Sequence, residues 1–342
     1  MTSADGKKIA FWYKSIAFLI FLLLITSGLI RLAETGLTIT NWRGFMALFP
    51  PLTDAQWHDI YHKFSNSALY NEAIDLQSFK SSFIVAYIHQ FLRIIAAITV
   101  LLPFIFFIAS KSFDKANLFK ASLLIVLTAV YLTVMWQLNQ VEFLQPHRII
   151  SYQHAAYLVF AVMIFGISFW FSLDVKPKPF QYANGAKELK VWLSLFLVVL
   201  TLQIMYGAFV ASLHSGHIYN TFPKMYQFWF PPELWLMRPF AINFFENMVT
   251  VQWIHRLLAT LLVLMAIGMW IRSYQIDTTF YTKKWILAVF ALILAQYMIG
   301  VFTLVYHVPV WLGVLHKAIA IVLFGVVIAA IHRLKFVPYG HD

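Results

Sequence analysis

The chain contains no cysteine, so disulfides, thiolate metal sites and cysteine nucleophiles are all excluded. Charge is scarce too. Asp, Glu, Lys and Arg make up only 11% of 342 residues, against roughly 25% in ordinary soluble domains, which excludes a soluble globular enzyme. Acid is scarcest: 14 Asp and Glu face 25 Lys and Arg, a net charge of +11. In so apolar a chain a basic excess reflects cytoplasmic loops and anionic lipid rather than nucleic acid. What is abundant is hydrophobic surface. Apolar residues reach 61%, with 33 Phe, 16 Tyr and 12 Trp, and the mean hydropathy is +0.75. Disorder is thereby excluded as well.

A bilayer crossing takes about 20 mostly apolar residues. Eight segments qualify: 15–33, 82–108, 121–138, 151–173, 191–212, 249–271, 285–305 and 311–331. Their runs are continuous rather than alternating, so they read as helices and not barrel strands. The first leads into Arg31-Leu32-Ala33-Glu34, not into a small-residue cleavage site, and reads as a span rather than a signal peptide. Fifteen of the 25 basic residues gather at one set of helix ends, from Lys7, Lys8 and Lys14 to Arg333 and Lys335. The positive-inside rule then puts both termini in the cytoplasm. The first fourteen residues lack Arg, which favours a bacterial inner membrane over a mitochondrial one. The long outer loops 34–81 and 213–248 are rich in aromatics. They suit a membrane-surface belt, a lid over an apolar ligand, or both.

The halves repeat the same layout. Phe49-Pro50-Pro51 echoes Phe230-Pro231-Pro232, and Ser27-Gly28 echoes Tyr206-Gly207. Tyr87-Ile88-His89-Gln90-Phe91-Leu92 echoes Trp253-Ile254-His255-Arg256-Leu257-Leu258. The fold class expected is an all-α polytopic membrane protein, its eight spans arranged as two pseudo-symmetric four-helix bundles, residues 1–175 and 176–342.

Of twelve histidines, most have plain readings. His58, His62, His214, His217 and His307 fall in outer loops, His147 in a short loop, and His341 in the tail. His332 lies at a cytoplasmic helix end, where a helix dipole or a headgroup suits it. Four differ: His89, His154, His255 and His316 sit near the outer starts of spans 2, 4, 6 and 8, roughly 5–12 Å deep at 1.5 Å per residue. The separations are 65 and 61 residues within the two halves. An intramembrane polar residue is either a satisfied packing group or a functional one. Two imidazoles per half are too few for a zinc site and suit the two axial positions of a heme. Arg31, Arg256 and Lys317 lie at a level where propionates or lipid headgroups could meet them.

In these residues and their spacing the sequence resembles the heme A synthase family, in the form lacking an outer-loop cysteine pair. The likeness is carried by Gln203-Ile204-Met205-Tyr206-Gly207, Tyr219-Asn220-Thr221-Phe222-Pro223-Lys224-Met225, Gln252-Trp253-Ile254-His255-Arg256, Gln296, Gly300 and Leu315-His316. In the first half Gly28-Leu29-Ile30-Arg31-Leu32 and Gly36-Leu37-Thr38 match. The resemblance implies a cofactor heme b between His255 and His316, with Arg256 and Arg31 as cofactor-binding cations. It also implies a substrate, heme O, beside His89 and His154 as catalytic and iron-binding residues. The reaction it implies oxidises a porphyrin methyl to a formyl group, giving heme A for cytochrome c oxidase. The partners implied are the farnesyltransferase that makes heme O, an unidentified electron donor and membrane lipid; homo-oligomerisation stays open. Two departures stand out. The family carries a Glu three residues before its first His, where this chain has Ala86, and Gln90 replaces an Arg. A shifted alignment would put Tyr157 in place of His154. A non-catalytic heme-binding homologue, for assembly or electron transfer, is the alternative reading. A transporter is disfavoured by the lack of paired Gly or Pro breaks and buried acids.

Overall fold

The computed structural model describes residues 3–32, 50–66, 75–141, 147–175 and 186–335. The described residues form ten helices: α1 (Ser3–Leu32), α2 (Asp54–Ser65), α3 (Leu76–Ala109), α4 (Lys115–Val141), α5 (His147–Asp174), α6 (Ala186–Ser212), α7 (Asn243–Glu246), α8 (Met248–Gln275), α9 (Phe280–Val305) and α10 (Val310–Lys335). Their only β pairing is an isolated bridge between Met225 and Phe228. Eight of the helices, all but α2 and α7, are long and apolar enough to cross a membrane. Every span read from hydropathy is therefore present in an all-helical chain.

Packing sets two rings of helices side by side. α6 packs on α8, α8 on α9, α9 on α10 and α10 on α6, so α8 and α10 stand at opposite corners. In the first half α1 packs on α3 and α5, and α4 touches both of those, so α3 and α5 stand at opposite corners. The rings meet along α1 and α5 against α6 and α10. That seam is the deepest part of the core: Ile16, Ile20, Leu23, Ile164, Phe196, Leu200, Ile321 and Val327 are all buried there. Gly166 lets α10 close in, since a Cβ there would lie 2.9 Å from Phe324 and from Ile328. Elsewhere large apolar side chains such as Leu102, Ile105 and Leu264 face outward. That is the surface hydrocarbon solvates at no cost.

Two features extend the reading of the sequence. The loop before α3 contains α2, opened by a capping box in which Thr53 and Gln56 bond each other's backbone. Its Trp57 and Tyr61 lie edge-on against Phe83 and Phe79 of α3, centroids 5.1 and 5.4 Å apart. His58 and His62 ride on this helix rather than on irregular loop. The second feature is Pro103 inside α3. Proline has no N–H to give the carbonyl four residues back, and the Trp12 indole of α1 donates to that Thr99 carbonyl at 2.6 Å.

His332 departs from the surface role expected of it. It is only 3% exposed. Its Nε2 lies 2.9 Å from Asp174 Oδ1, and its ring meets Trp170 edge-on at 4.8 Å. Asp174 also accepts from Lys120 at 2.9 Å. Three helices, α4, α5 and α10, are thus pinned together at the end of the bundle opposite the other intramembrane histidines.

Candidate functional site

His255 lies on α8 and His316 on α10, the opposite corners of the second ring. Both residues are half-buried, and His316 lies within electrostatic reach of His255. Their settings are near copies. His255 Nε2 is 3.2 Å from the Gln203 amide nitrogen on α6, and His316 Nε2 is 3.3 Å from the Gln296 amide nitrogen on α9. Four residues after each Gln comes a glycine, one helical turn along the same face. A Cβ on Gly207 would lie 3.4 Å from His255 Cε1, and one on Gly300 would lie 2.7 Å from His316 Cε1. Glutamine and glycine together therefore cradle each imidazole against the neighbouring helix. Both Nδ1 atoms and both glutamine Oε1 atoms are buried without a hydrogen-bond partner. Such atoms are costly in a low-dielectric interior, and their occurrence in matched pairs marks a site built to receive something.

Among the described residues no three His, Asp or Glu side chains gather as a bare-metal site. The donor set is two imidazoles on helices at opposite corners, each with a buried Nδ1 that has no hydrogen-bond partner. A heme supplies its own equatorial nitrogens and needs only axial ligands from protein, so the residues present fit that group.

In the first half, His89 on α3 is 9% exposed, and its Nδ1 lies 2.7 Å from Thr26 Oγ1 on α1. Next to Thr26, Ser27 accepts from Lys317 Nζ of α10 at 3.2 Å, and Lys317 also lies across Gly28, where a Cβ would come 2.8 Å from its Cδ. Lys317 follows His316 directly. The chain of contacts from His89 through Thr26, Ser27 and Lys317 therefore puts His89 and His316 in one layer. α3 starts six residues before the expected 82 because its first turns extend to meet α2. Arg93, held by Gln90 at 3.1 Å, and Lys317 both act electrostatically on His89. Ala86, 7% exposed, occupies the preceding turn.

His154 lies on α5 and is half-buried. Tyr157, one turn on, stacks on Tyr131 of α4 with centroids 4.8 Å apart. Arg31 ends within α1, and its side chain lies outside the described residues. Arg256 turns to the outer loop. It donates to the carbonyls of Tyr219 at 2.7 Å, Thr221 at 2.9 Å and Lys224 at 3.4 Å, and to Gln252 Oε1 at 3.3 Å, while its Nε is buried and unpartnered. Gln252 joins it by donating to Ser215 and Tyr219 carbonyls, and Trp253 donates to Trp229. Asn247 caps α8 and also holds the Glu233 carbonyl. The first two turns of α8 thus staple the loop over the ring that contains His255. Within that loop Tyr219 donates to Glu233 at 2.8 Å, and burial, then this bond, push its phenol up to about 12.

Thr26, Ser27 and Arg93 carried no assigned role in the sequence reading, and Gln203 and Gln296 entered only as matched letters. The available signal was Gln-x-Met-x-Gly, present at 203–207 and again at 296–300. The sequence profile of the COX15-CtaA family, described as cytochrome oxidase assembly protein, matches residues 10–328. The chain belongs to this family. Among its relatives is a heme A synthase of Parvibaculum lavamentivorans, 32% identical over 337 residues, which cover 97% of this chain and 96% of that one. A heme A synthase of Beijerinckia indica is 30% identical, covering 96% and 93%. One from the Wolbachia of Culex pipiens is 29% identical, covering 94% and 96%.

Proposed function

We propose that this multi-pass membrane protein is an oxidoreductase of heme A synthase type. It oxidises a methyl group of heme O to the formyl group of heme A, for cytochrome oxidase biogenesis. The observation that carries the reading is the duplicated cradle: a Gln amide and a glycine holding an imidazole, once on α6 against His255 and once on α9 against His316. Residues 176–342 would act as the cofactor unit, where His255 and His316 would hold heme b. Residues 1–175 act as the substrate unit, with His89 and His154 facing heme O. Heme supplies the redox chemistry; the protein supplies position, electrostatics and exclusion of water. Gln203 and Gln296 orient the imidazoles, and the glycines let the rings lie close to helix backbone. Arg256 holds the loop down over the cofactor unit, and Arg31 would be a cation available to heme propionates. Arg93 and Lys317 put two positive charges beside the substrate unit, suited to an anionic porphyrin edge. Heme O would arrive from the farnesyltransferase that makes it, and the electron donor would be a partner outside this chain. The membrane is the bacterial inner membrane, with both termini in the cytoplasm.

A second reading has one observation in its favour. Ala86 sits buried one turn from His89, where a proton-carrying Glu would serve catalysis. A heme-binding homologue without activity would tolerate that alanine. Heme extraction from cells that co-express a heme O source separates the two. Heme A is expected in extracts with the wild-type chain and absent with His255→Ala or His316→Ala, which also lose the low-spin heme spectrum. A bound heme b with no heme A or hydroxylated intermediate would favour the second reading.

A further inference from the structure

Thr26 and Ser27 are adjacent hydroxyls on α1, and each has the same double engagement. Ser27 Oγ lies 2.9 Å from the Leu24 carbonyl and 3.2 Å from Lys317 Nζ. A lysine ammonium can only donate, so Ser27 accepts from Lys317 and spends its own proton on Leu24. Thr26 Oγ1 lies 3.0 Å from the Leu22 carbonyl, 3.2 Å from the Leu23 carbonyl and 2.7 Å from His89 Nδ1. Carbonyls only accept, and the β-branched side chain is stiff at χ1, so the Thr26 proton is committed to its own helix as that of Ser27 is. The remaining lone pairs of Thr26 can then only accept, and the donor facing them is His89 Nδ1–H.

We propose that Thr26 is a positioning residue that locks His89 as its Nδ1–H tautomer and so presents the Nε2 lone pair to the substrate iron. The tautomer of an imidazole is set by the hydrogen bond its other nitrogen makes, and ligating histidines are commonly oriented by such an outer partner. The lock is specific to the first half. His255 and His316 have no partner at Nδ1 and are held at Nε2 instead. Through Ser27, the same turn of α1 also fixes Lys317, the residue that follows His316. One helical turn therefore sets both the substrate-side imidazole and the cation at the seam between the halves. The ligand role rests on the reading of His89 given above; the tautomer lock does not.

The test uses the full-length protein with its bound heme, in nanodiscs, with histidine labelled at the ring nitrogens. Resonances of His89 are assigned by difference against His89→Gln. The expected result is a protonated Nδ1 and an unprotonated Nε2 in the wild type. Thr26→Val, which keeps the shape and loses the hydroxyl, spreads His89 over both tautomers, and Thr26→Ser restores one. An Nε2–H tautomer in the wild type would overturn the proposal, even if Thr26→Val failed to fold. So would an unchanged His89 pattern in a folded Thr26→Val. Titration with heme O, followed by difference absorption, reads the consequence. Thr26→Val weakens binding about tenfold, the scale for losing an outer partner of a ligating histidine, and Thr26→Ser recovers it. Unchanged heme O affinity in His89→Ala, alongside wild-type nitrogen resonances as predicted, would remove the ligand role and leave the tautomer lock standing.

Discussion

The two halves of the molecule hold their histidines by different chemistry. In the second half the support is an amide and a glycine, repeated on α6 and α9. In the first half the corresponding turn of α1 reads Leu24 to Gly28 in place of Gln203 to Gly207. Leu24 is buried in the seam, Thr26 takes over the contact to histidine, and Gly28 faces Lys317 rather than an imidazole. Three glycines at one register thus face His255, His316 and a lysine from the other half. A closed pair of like settings suits a cofactor that stays. A single setting opened by a hydroxyl, with two cations near it, suits a substrate that must enter and leave.

The sharpest way to break this comparison is at the glycines, where the structure distinguishes members of the repeat. At Gly300 a Cβ would lie 2.7 Å from His316 Cε1, too close unless the ring moves. At Gly207 the same atom would lie 3.4 Å from His255 Cε1, an ordinary contact. Gly300→Ala is expected to weaken heme b binding by about 10–100-fold, as when the surroundings of a metal-bound histidine are disturbed. Gly207→Ala should leave heme content unchanged. Heme-to-protein ratio and the low-spin absorption spectrum measure both. Equal losses would mean that the two cradles are not supported as the distances say.

This difference also marks how far the residues could be read without coordinates. Hydropathy places all eight spans, because hydrocarbon allows only internally bonded backbone and the runs are long. Matched depth and matched positions in the two halves single out the four histidines of spans 2, 4, 6 and 8. α2 was passed over because its 12 residues are too polar to cross a bilayer, although Thr53-Asp54-Ala55-Gln56 spells a helix start. Other facts have no local signature. The Asp174 partner of His332 is 158 residues away, and the amide facing His255 is 52 residues away. Arg256 was read as a propionate partner from its level in the membrane. Its four hydrogen bonds to the loop and to Gln252 become visible only once the loop folds back.

A different variant probes the seam that lets the halves differ. Asp174 joins Lys120 of α4 to His332 of α10 across the end of the bundle remote from His255 and His316. Asp174→Asn keeps the size and removes the charge, leaving Lys120 facing a neutral amide. Breaking a buried ion pair from one side costs about 3 kcal/mol, the lower end suited to a pair that is not fully enclosed. The unfolding midpoint in detergent should fall accordingly. The heme spectrum below that midpoint should stay as in the wild type, since the pair lies at the opposite ends of α5 and α10 from the cradles. A spectral change in the folded variant would show that the seam couples the remote end to the surroundings of His255 and His316.

The smallest effect concerns how α3, which carries His89, begins. Asp75 caps it, accepting from the Ser78 N–H at 2.8 Å, and the hydrogen bonds from Ser78 hold its carboxyl below the ordinary aspartate value. A folded-state value below the unfolded one means that the unfolded chain binds the proton more readily. The cap's contribution is therefore complete above the ordinary aspartate range, and it fades as pH falls from there through the lower folded value. Hydrogen-exchange protection at residues 76–79, taken relative to the intrinsic rate at each pH, should fall over that window, while that of the first turn of α8 stays constant, because its cap, Asn247, does not titrate. Asp75→Asn should make the two helices alike by removing the pH dependence from α3. If the first turn of α3 kept its pH dependence in that variant, some other titrating group would be holding the start of that helix.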